Sequence, residues 1–139
     1  NFNARNLSLN DINERVDGIT CDVSFISLTY IIPVLKGLLK ENGVCFLLIK
    51  PQFECENKHI GKSGIVAPSA HAEIVKKVLS YLAENALYAH GITNAPVRKG
   101  KNIEYVLYIR PIWQGAKTEK EIINPACVGF FYCKKLISV

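Results

Sequence analysis

Methionine is absent from the 139 residues, and tryptophan occurs once. No internal repeat and no low-complexity segment is present, so nothing in the composition reads as disordered. Long apolar runs are missing too. The longest, Val44 to Ile49, is far shorter than the roughly 20 residues a membrane-spanning helix needs. A signal-peptide pattern is not visible. No CxxC pair occurs, and His59, His71 and His90 are scattered, so the close Cys/His pairs of a zinc site are lacking and no metal is expected. The chain opens on Asn1 and a polar stretch rather than on Met, as a piece of a longer protein would.

Apolar residues make up 49 % of the chain, enough for a real core in one domain or a large part of one. The net charge of +5 favours an anionic partner weakly. Cys21, Cys45, Cys55, Cys127 and Cys133 read as reduced thiols of a cytosolic protein, placing it in the cytoplasm.

Residues 1–17 read as a polar loop with one helical turn at Asn10–Arg15, and Gly18–Val23 as a short strand. A helix is expected to begin near Thr29 or Tyr30, because Pro33 is tolerated only in a first turn. Asn42-Gly43 is its expected stop. Val44–Ile49 lacks alternation, which predicts a central strand covered on both faces. A polar loop over 54–68 precedes the clearest helix, Ser69–Asn85, whose Ile74, Val75, Val78, Leu79 and Leu82 share one face. Leu87–Thr93 and Ile103–Arg110 are two further strands joined by a basic loop too long for a tight hairpin. The order β-α-β-loop-α-β-β implies parallel pairing with right-handed crossovers and one antiparallel strand, an α/β fold. The tail suggests a helical turn at Thr118–Ile123 and an apolar patch at Val128–Tyr132.

Asp22 and Lys50 sit at the ends of two apolar runs, where open α/β sheets carry their chemistry, and Glu104 sits inside a third. Such charges are costly unless paired or used. Asn3-Ala4-Arg5, Asp22-Val23-Ser24-Phe25-Ile26-Ser27-Leu28, Lys50-Pro51-Gln52-Phe53-Glu54, Gly61-Lys62-Ser63-Gly64-Ile65-Val66 and Asn102-Ile103-Glu104-Tyr105 together resemble the TlyA-type, FtsJ-like ribosomal RNA methyltransferases, often labelled hemolysins. The match covers residues 1–110 in order and spacing, which leaves 111–139 as a C-terminal extension.

The resemblance implies a Rossmann-like, S-adenosylmethionine-dependent 2′-O-ribose methyltransferase whose seventh strand is antiparallel. This chain would hold strands four to seven of that sheet. It also implies a Lys-Asp-Lys-Glu tetrad, of which Asp22, Lys50 and Glu104 match three members and the first Lys has no counterpart. No stretch such as GxSTGGF, the family's glycine-rich cofactor loop, occurs in the chain. The chain alone is therefore expected to be inactive. Asn94-Ala95-Pro96-Val97 also departs from the family's Ser-Pro-Ile.

On this reading Lys50 takes the proton of the ribose 2′-hydroxyl or steers its oxygen, with Asp22 and Glu104 orienting it. Asp22, Ser24 and Phe25 would touch the cofactor, and Ser27 beside them could contact cofactor or substrate, unless a serine of this segment caps a helix instead. Gln52 and Phe53 would line the target nucleotide's pocket, unless Phe53 packs in the core. Lys58, Lys62, Arg98, Lys99 and Lys101 would form a basic rim for ribosomal RNA, or be ordinary solvated loops. The alternative function is a non-catalytic RNA- or partner-binding fragment. A pore-forming role finds no amphipathic or spanning segment. In the family's sheet order, 3-2-1-4-5-7-6, strand four pairs with strand one. The apolar edge near Cys21–Val23 should then need cover from the tail or from another copy, so self-association is an expectation.

Overall fold

The computed structural model describes residues 3–96, 99–112 and 136–139. Among the described residues five strands make one mixed sheet: β1 (Val16–Cys21), β2 (Leu39–Ile49), β3 (Tyr88–Asn94), β4 (Tyr105–Arg110) and β5 (Leu136–Ser138), in the order β3-β4-β2-β1-β5. β1 runs parallel to β2 and to β5, while β4 is antiparallel to both β2 and β3. The expected order and the antiparallel strand are both found. β5 is the addition. It pairs along Gly18–Thr20, so the tail covers the edge that the sequence marks as needing a partner.

Among the described residues there are three α-helices, α1 (Leu9–Ile12), α2 (Ile32–Leu38) and α3 (His71–Glu84), and five single-turn 3-10 helices, one of them Leu28–Tyr30. Pro33 sits in the first turn of α2, where its missing N–H costs nothing. α3 buries Ile74, Val78 and Leu82, the centre of its predicted stripe. These join Val16, Ile19, Ile32, Leu35, Leu47, Ile49, Leu107 and Ile109 in one core.

The structure corrects several expectations. α2 stops at Leu38, because Leu39 is already paired with Val16. Between that pair and Gly18–Val44, residues 40–43 bulge out of the ladder opposite Asp17 alone. Lys40 and Asp17 are bridged there at 3.1 Å. A Cβ at Gly43 would lie 2.6 Å from the Leu39 side chain, so the Asn-Gly pair makes a close-packed bulge rather than a helix stop. β2 is central, but its faces differ. Cys45, Leu47 and Ile49 are buried, whereas Phe46 and Leu48 are half-buried, Phe46 against Tyr108 with ring centroids 5.5 Å apart. β1 ends at Cys21, and β4 begins only at Tyr105, which leaves Asp22 and Glu104 just outside their strands. The helical turn expected at Asn10–Arg15 occupies Leu9–Ile12. Thr118–Ile123 and Val128–Tyr132 lie outside the described residues.

The cysteines of the sheet give a direct check on packing. Cys21 and Cys45 are buried and unbridged. Burial, reinforced by Asp22 and opposed by Lys50, pushes the Cys21 thiol up to about 12. Burial raises Cys45 as well. At pH 8 a thiol of that kind is ionised in only about one molecule in 10⁴. Peptide-resolved alkylation with iodoacetamide should therefore mark half-buried Cys55 well before Cys21 or Cys45. Early labelling of Cys21 would mean that the β1 edge opens.

Candidate active site at the carboxyl edge of the sheet

β1 and β2 are parallel and end side by side, so the residues that follow them emerge together. Asp22 follows β1, and Lys50 follows β2. The Lys50 ammonium forms an ion pair with the Asp22 carboxylate and donates to Ser24 Oγ at 2.9 Å. Lys50 is largely covered, with 14 % of its side chain exposed, against 64 % for Asp22. The pair therefore stands at the mouth of the site with its carboxylate in solvent. The Asp22 backbone N–H donates to the Val139 carbonyl at 2.8 Å, which ties the site to the tail.

Glu104 arrives from the antiparallel neighbour. The register that pairs Ile49 with Tyr105 sets Lys50 opposite Glu104, one step beyond the ladder. All three charged residues thus share one edge of the sheet. Glu104 nonetheless makes no ion pair with Lys50 among the described residues. It lines a cleft of about 560 Å³ with Gln52, Ser63, Gly64, Ile65, Pro96, Gly100, Lys101 and Asn102. A volume of that size suits a small organic group.

Asn102 builds the cleft wall. Its Oδ1 accepts from the Val66 N–H at 2.8 Å, and its Nδ2 donates to the Gly64 carbonyl at 2.9 Å. Gly64 takes φ +77°, a left-handed conformation that favours glycine. Beside Glu104, the Tyr105 hydroxyl meets His71 Nδ1 at 2.7 Å. His90 Nε2 lies 2.9 Å from the Ile112 carbonyl. Both histidines are thus satisfied by protein groups. No cluster of three or more metal-ligating side chains occurs among the described residues.

A second, smaller cleft of about 380 Å³ lies on the Asp22 side, lined by Asn3, Ala4, Arg5, Val23, Ser24, Phe25, Ile26 and Ile31. Phe25 is 90 % exposed and holds φ +61°, an unusual conformation for an aromatic residue. Its ring packs on Phe53 with centroids 4.9 Å apart. Phe53 is half-buried, so it neither fills the core nor stands free.

Ser27 is a cap. Its Oγ accepts from the Thr29 N–H at 3.3 Å and donates to Glu54 Oε2 at 2.8 Å. Glu54 is the residue that sequence reasoning missed. It is only 6 % exposed, and its Oε1 accepts from the Leu28 N–H at 2.7 Å. Burial raises its carboxyl above the ordinary range, while the bonds from Leu28 and Ser27 and nearby Lys77 pull it back. The only signal was its place at the end of Lys50-Pro51-Gln52-Phe53-Glu54.

The lysines expected to form a basic rim lie apart. Lys101 lines the larger cleft, and Lys62 stands exposed on the turn before Ser63. Lys99 is exposed on the facing loop. Lys58 is turned to Glu56 at 2.8 Å. Arg98 lies outside the described residues. No helix among the described residues is long and apolar enough to cross a membrane.

Residues 1–110 match the FtsJ-like methyltransferase family. Over 102 residues the chain is 41 % identical to the Bacillus subtilis protein named "Putative rRNA methyltransferase YqxC", covering 72 % of this chain and 36 % of that protein. It is 34 % identical over 110 residues to the "16S/23S rRNA (cytidine-2'-O)-methyltransferase TlyA" of Mycobacterium tuberculosis, covering 78 % of this chain and 41 % of that one. The chain thus spans about two fifths of the length of these curated relatives. A crystal structure of a "putative hemolysin" from Lactococcus lactis superposes with a TM-score of 0.74 at 33 % identity, over 87 % of this chain and 62 % of that one.

Proposed function

The chain belongs to the FtsJ-like methyltransferase family, and from that premise we propose that it supplies the acceptor side of an S-adenosylmethionine-dependent ribose 2′-O-methyltransferase acting on ribosomal RNA in the cytoplasm. The observation that carries this reading is the Lys50 Nζ held between Asp22 and Ser24, with Glu104 opposite in register. In its amine form Lys50 would take the proton of the ribose 2′-hydroxyl as the oxygen accepts the methyl carbon and that carbon's bond to the donor sulfur breaks, the electron pair staying on sulfur. Asp22 and Ser24 fix the direction of Lys50, so that the hydroxyl is presented in line rather than at random. Glu104 and Gln52 orient the sugar and base from the larger cleft.

The cleft beside Asp22 tests the fit of the methyl donor. Its volume lies in the range of small-molecule sites, and Asp22 and Ser24 offer exposed polar groups beside the apolar face of Phe25. Asp22, Ser24 and Phe25 would hold S-adenosylmethionine, which supplies a methyl group on an already good leaving centre. Lys62, Lys99 and Lys101 contribute RNA phosphate contacts around the cleft.

The test uses the complete enzyme with ribosomal RNA and a methyl-labelled donor. The expected product is a ribose whose methylation blocks alkaline cleavage on its 3′ side, and a 2′-deoxy nucleotide at the target should accept no label. Label on a base would overturn the reading. A second reading is an RNA- or partner-binding module without catalysis. Calorimetry with S-adenosylmethionine bears on it: tight binding by this chain would exclude the module.

A further inference from the structure

Two turns carry every candidate group on the Asp22 side of the site, residues 22–28 after β1 and residues 50–54 after β2. They touch at three places in matching order. Lys50 meets Asp22 and Ser24, Phe53 meets Phe25, and Glu54 meets Ser27 and Leu28. The first rung is open to solvent through Asp22, and the second through Phe25. Only the third is sealed: Glu54 is 6 % exposed, and both of its carboxylate oxygens are engaged. A buried carboxylate that accepts a backbone N–H and a hydroxyl is held far more firmly than a solvated pair. Its own turn is fixed from the opposite side. The Glu54 N–H donates to the Pro51 carbonyl at 3.1 Å, and Lys77 of α3 donates to the Glu54 carbonyl at 3.0 Å.

We infer that Glu54 is a positioning residue that holds the two turns in register and so sets where Phe25, Asp22 and Lys50 stand. It contacts neither cleft, and it works through geometry rather than charge. For its effect on rate the inference rests on the methyl-transfer reading; for its effect on structure it does not.

Two variants separate reach from charge. Glu54→Gln keeps the length: its amide oxygen accepts from Leu28, and its NH₂ donates to Ser27 Oγ. Glu54→Asp keeps the charge but shortens the reach by about 1.5 Å. The readout is the nuclear Overhauser contact between the Phe25 and Phe53 rings in the 139-residue chain. The contact should persist in Glu54→Gln and fall away in Glu54→Asp, with both variants folded by their methyl spectra. In the complete enzyme Glu54→Asp should lose about 100-fold in kcat with little change in the KM for RNA, and Glu54→Gln should stay near the parent. A ring contact kept equally by both variants, or kept only by Glu54→Asp, would overturn the inference. A parent enzyme that methylates no ribose would instead sink the functional reading, while the ring contact still judges the clamp.

Discussion

Replacing Lys50 by alanine in the complete enzyme should lower methyl transfer to ribosomal RNA by about 10²–10⁴-fold, the range a positioned proton acceptor contributes. The fold should survive. Lys50 follows the last residue of β2, and among the described residues its ammonium is paired with Asp22 and Ser24 alone, both exposed. Its removal returns the Asp22 carboxylate to water rather than stranding a buried charge. Ion pairs of that exposure contribute less than about 1 kcal/mol. Thermal denaturation should therefore shift little while label incorporation collapses. Lys50→Arg sharpens the test, because a guanidinium keeps the positive charge beside Asp22 but gives up no proton. An arginine variant as active as the parent would show that charge alone suffices, and an active alanine variant would remove Lys50 from the mechanism.

The second large effect concerns the tail. Deleting residues 136–139 strips β1 of its outer neighbour along Gly18–Thr20. Two backbone bonds beyond the ladder itself go with it: the Asp22 N–H to the Val139 carbonyl at 2.8 Å, and the Val139 N–H to the Thr20 carbonyl at 2.7 Å. At about 0.5–1.5 kcal/mol each, these two alone cost roughly 1–3 kcal/mol, with the ladder bonds adding to it, readable as a lower urea midpoint. The larger consequence is colloidal. A bare edge beside the buried Ile19 and Cys21 is a template for another strand. Light scattering coupled to size exclusion should find the shortened chain as a dimer or larger species at concentrations where the parent is monomeric. Ile137→Pro should move the same way, since proline cannot donate within a ladder. A shortened chain that stays monomeric would show that the edge needs no cover.

Much of this arrangement is legible in the residues, for reasons that can be named. Apolar runs ending in Asp22 and Lys50 mark parallel strands whose carboxyl ends meet, and the ion pair is found there. The α3 stripe is visible because its period of 3.6 is carried by large aliphatic side chains. The strand order follows from local rules on crossovers plus the expected family topology.

Other features escape a local reading. Asn42-Gly43 has the chemistry of a helix stop and of a bulge alike, and the choice is made by Val16 pairing with Leu39. β5 is three residues long, too short for any alternation to register. Glu54 looks like a polar residue in a loop. Its burial is created by Ser27 and Leu28, which reach it from the preceding strand's turn. Glu104 reads as a strand residue because Ile103–Ile109 is continuous with it. Asn102 and the Ala95–Glu104 backbone bond, at 2.9 Å, instead hold that stretch as the cleft wall.

The bond between Asp22 and Val139 has a practical side. Any group attached at position 139, an affinity handle or a dye, begins its path beside the Lys50–Asp22 pair. A handle there would crowd the mouth of the smaller cleft and depress whatever binds in it. An environment-sensitive dye at the same position would turn that crowding to use, brightening or dimming as the cleft fills.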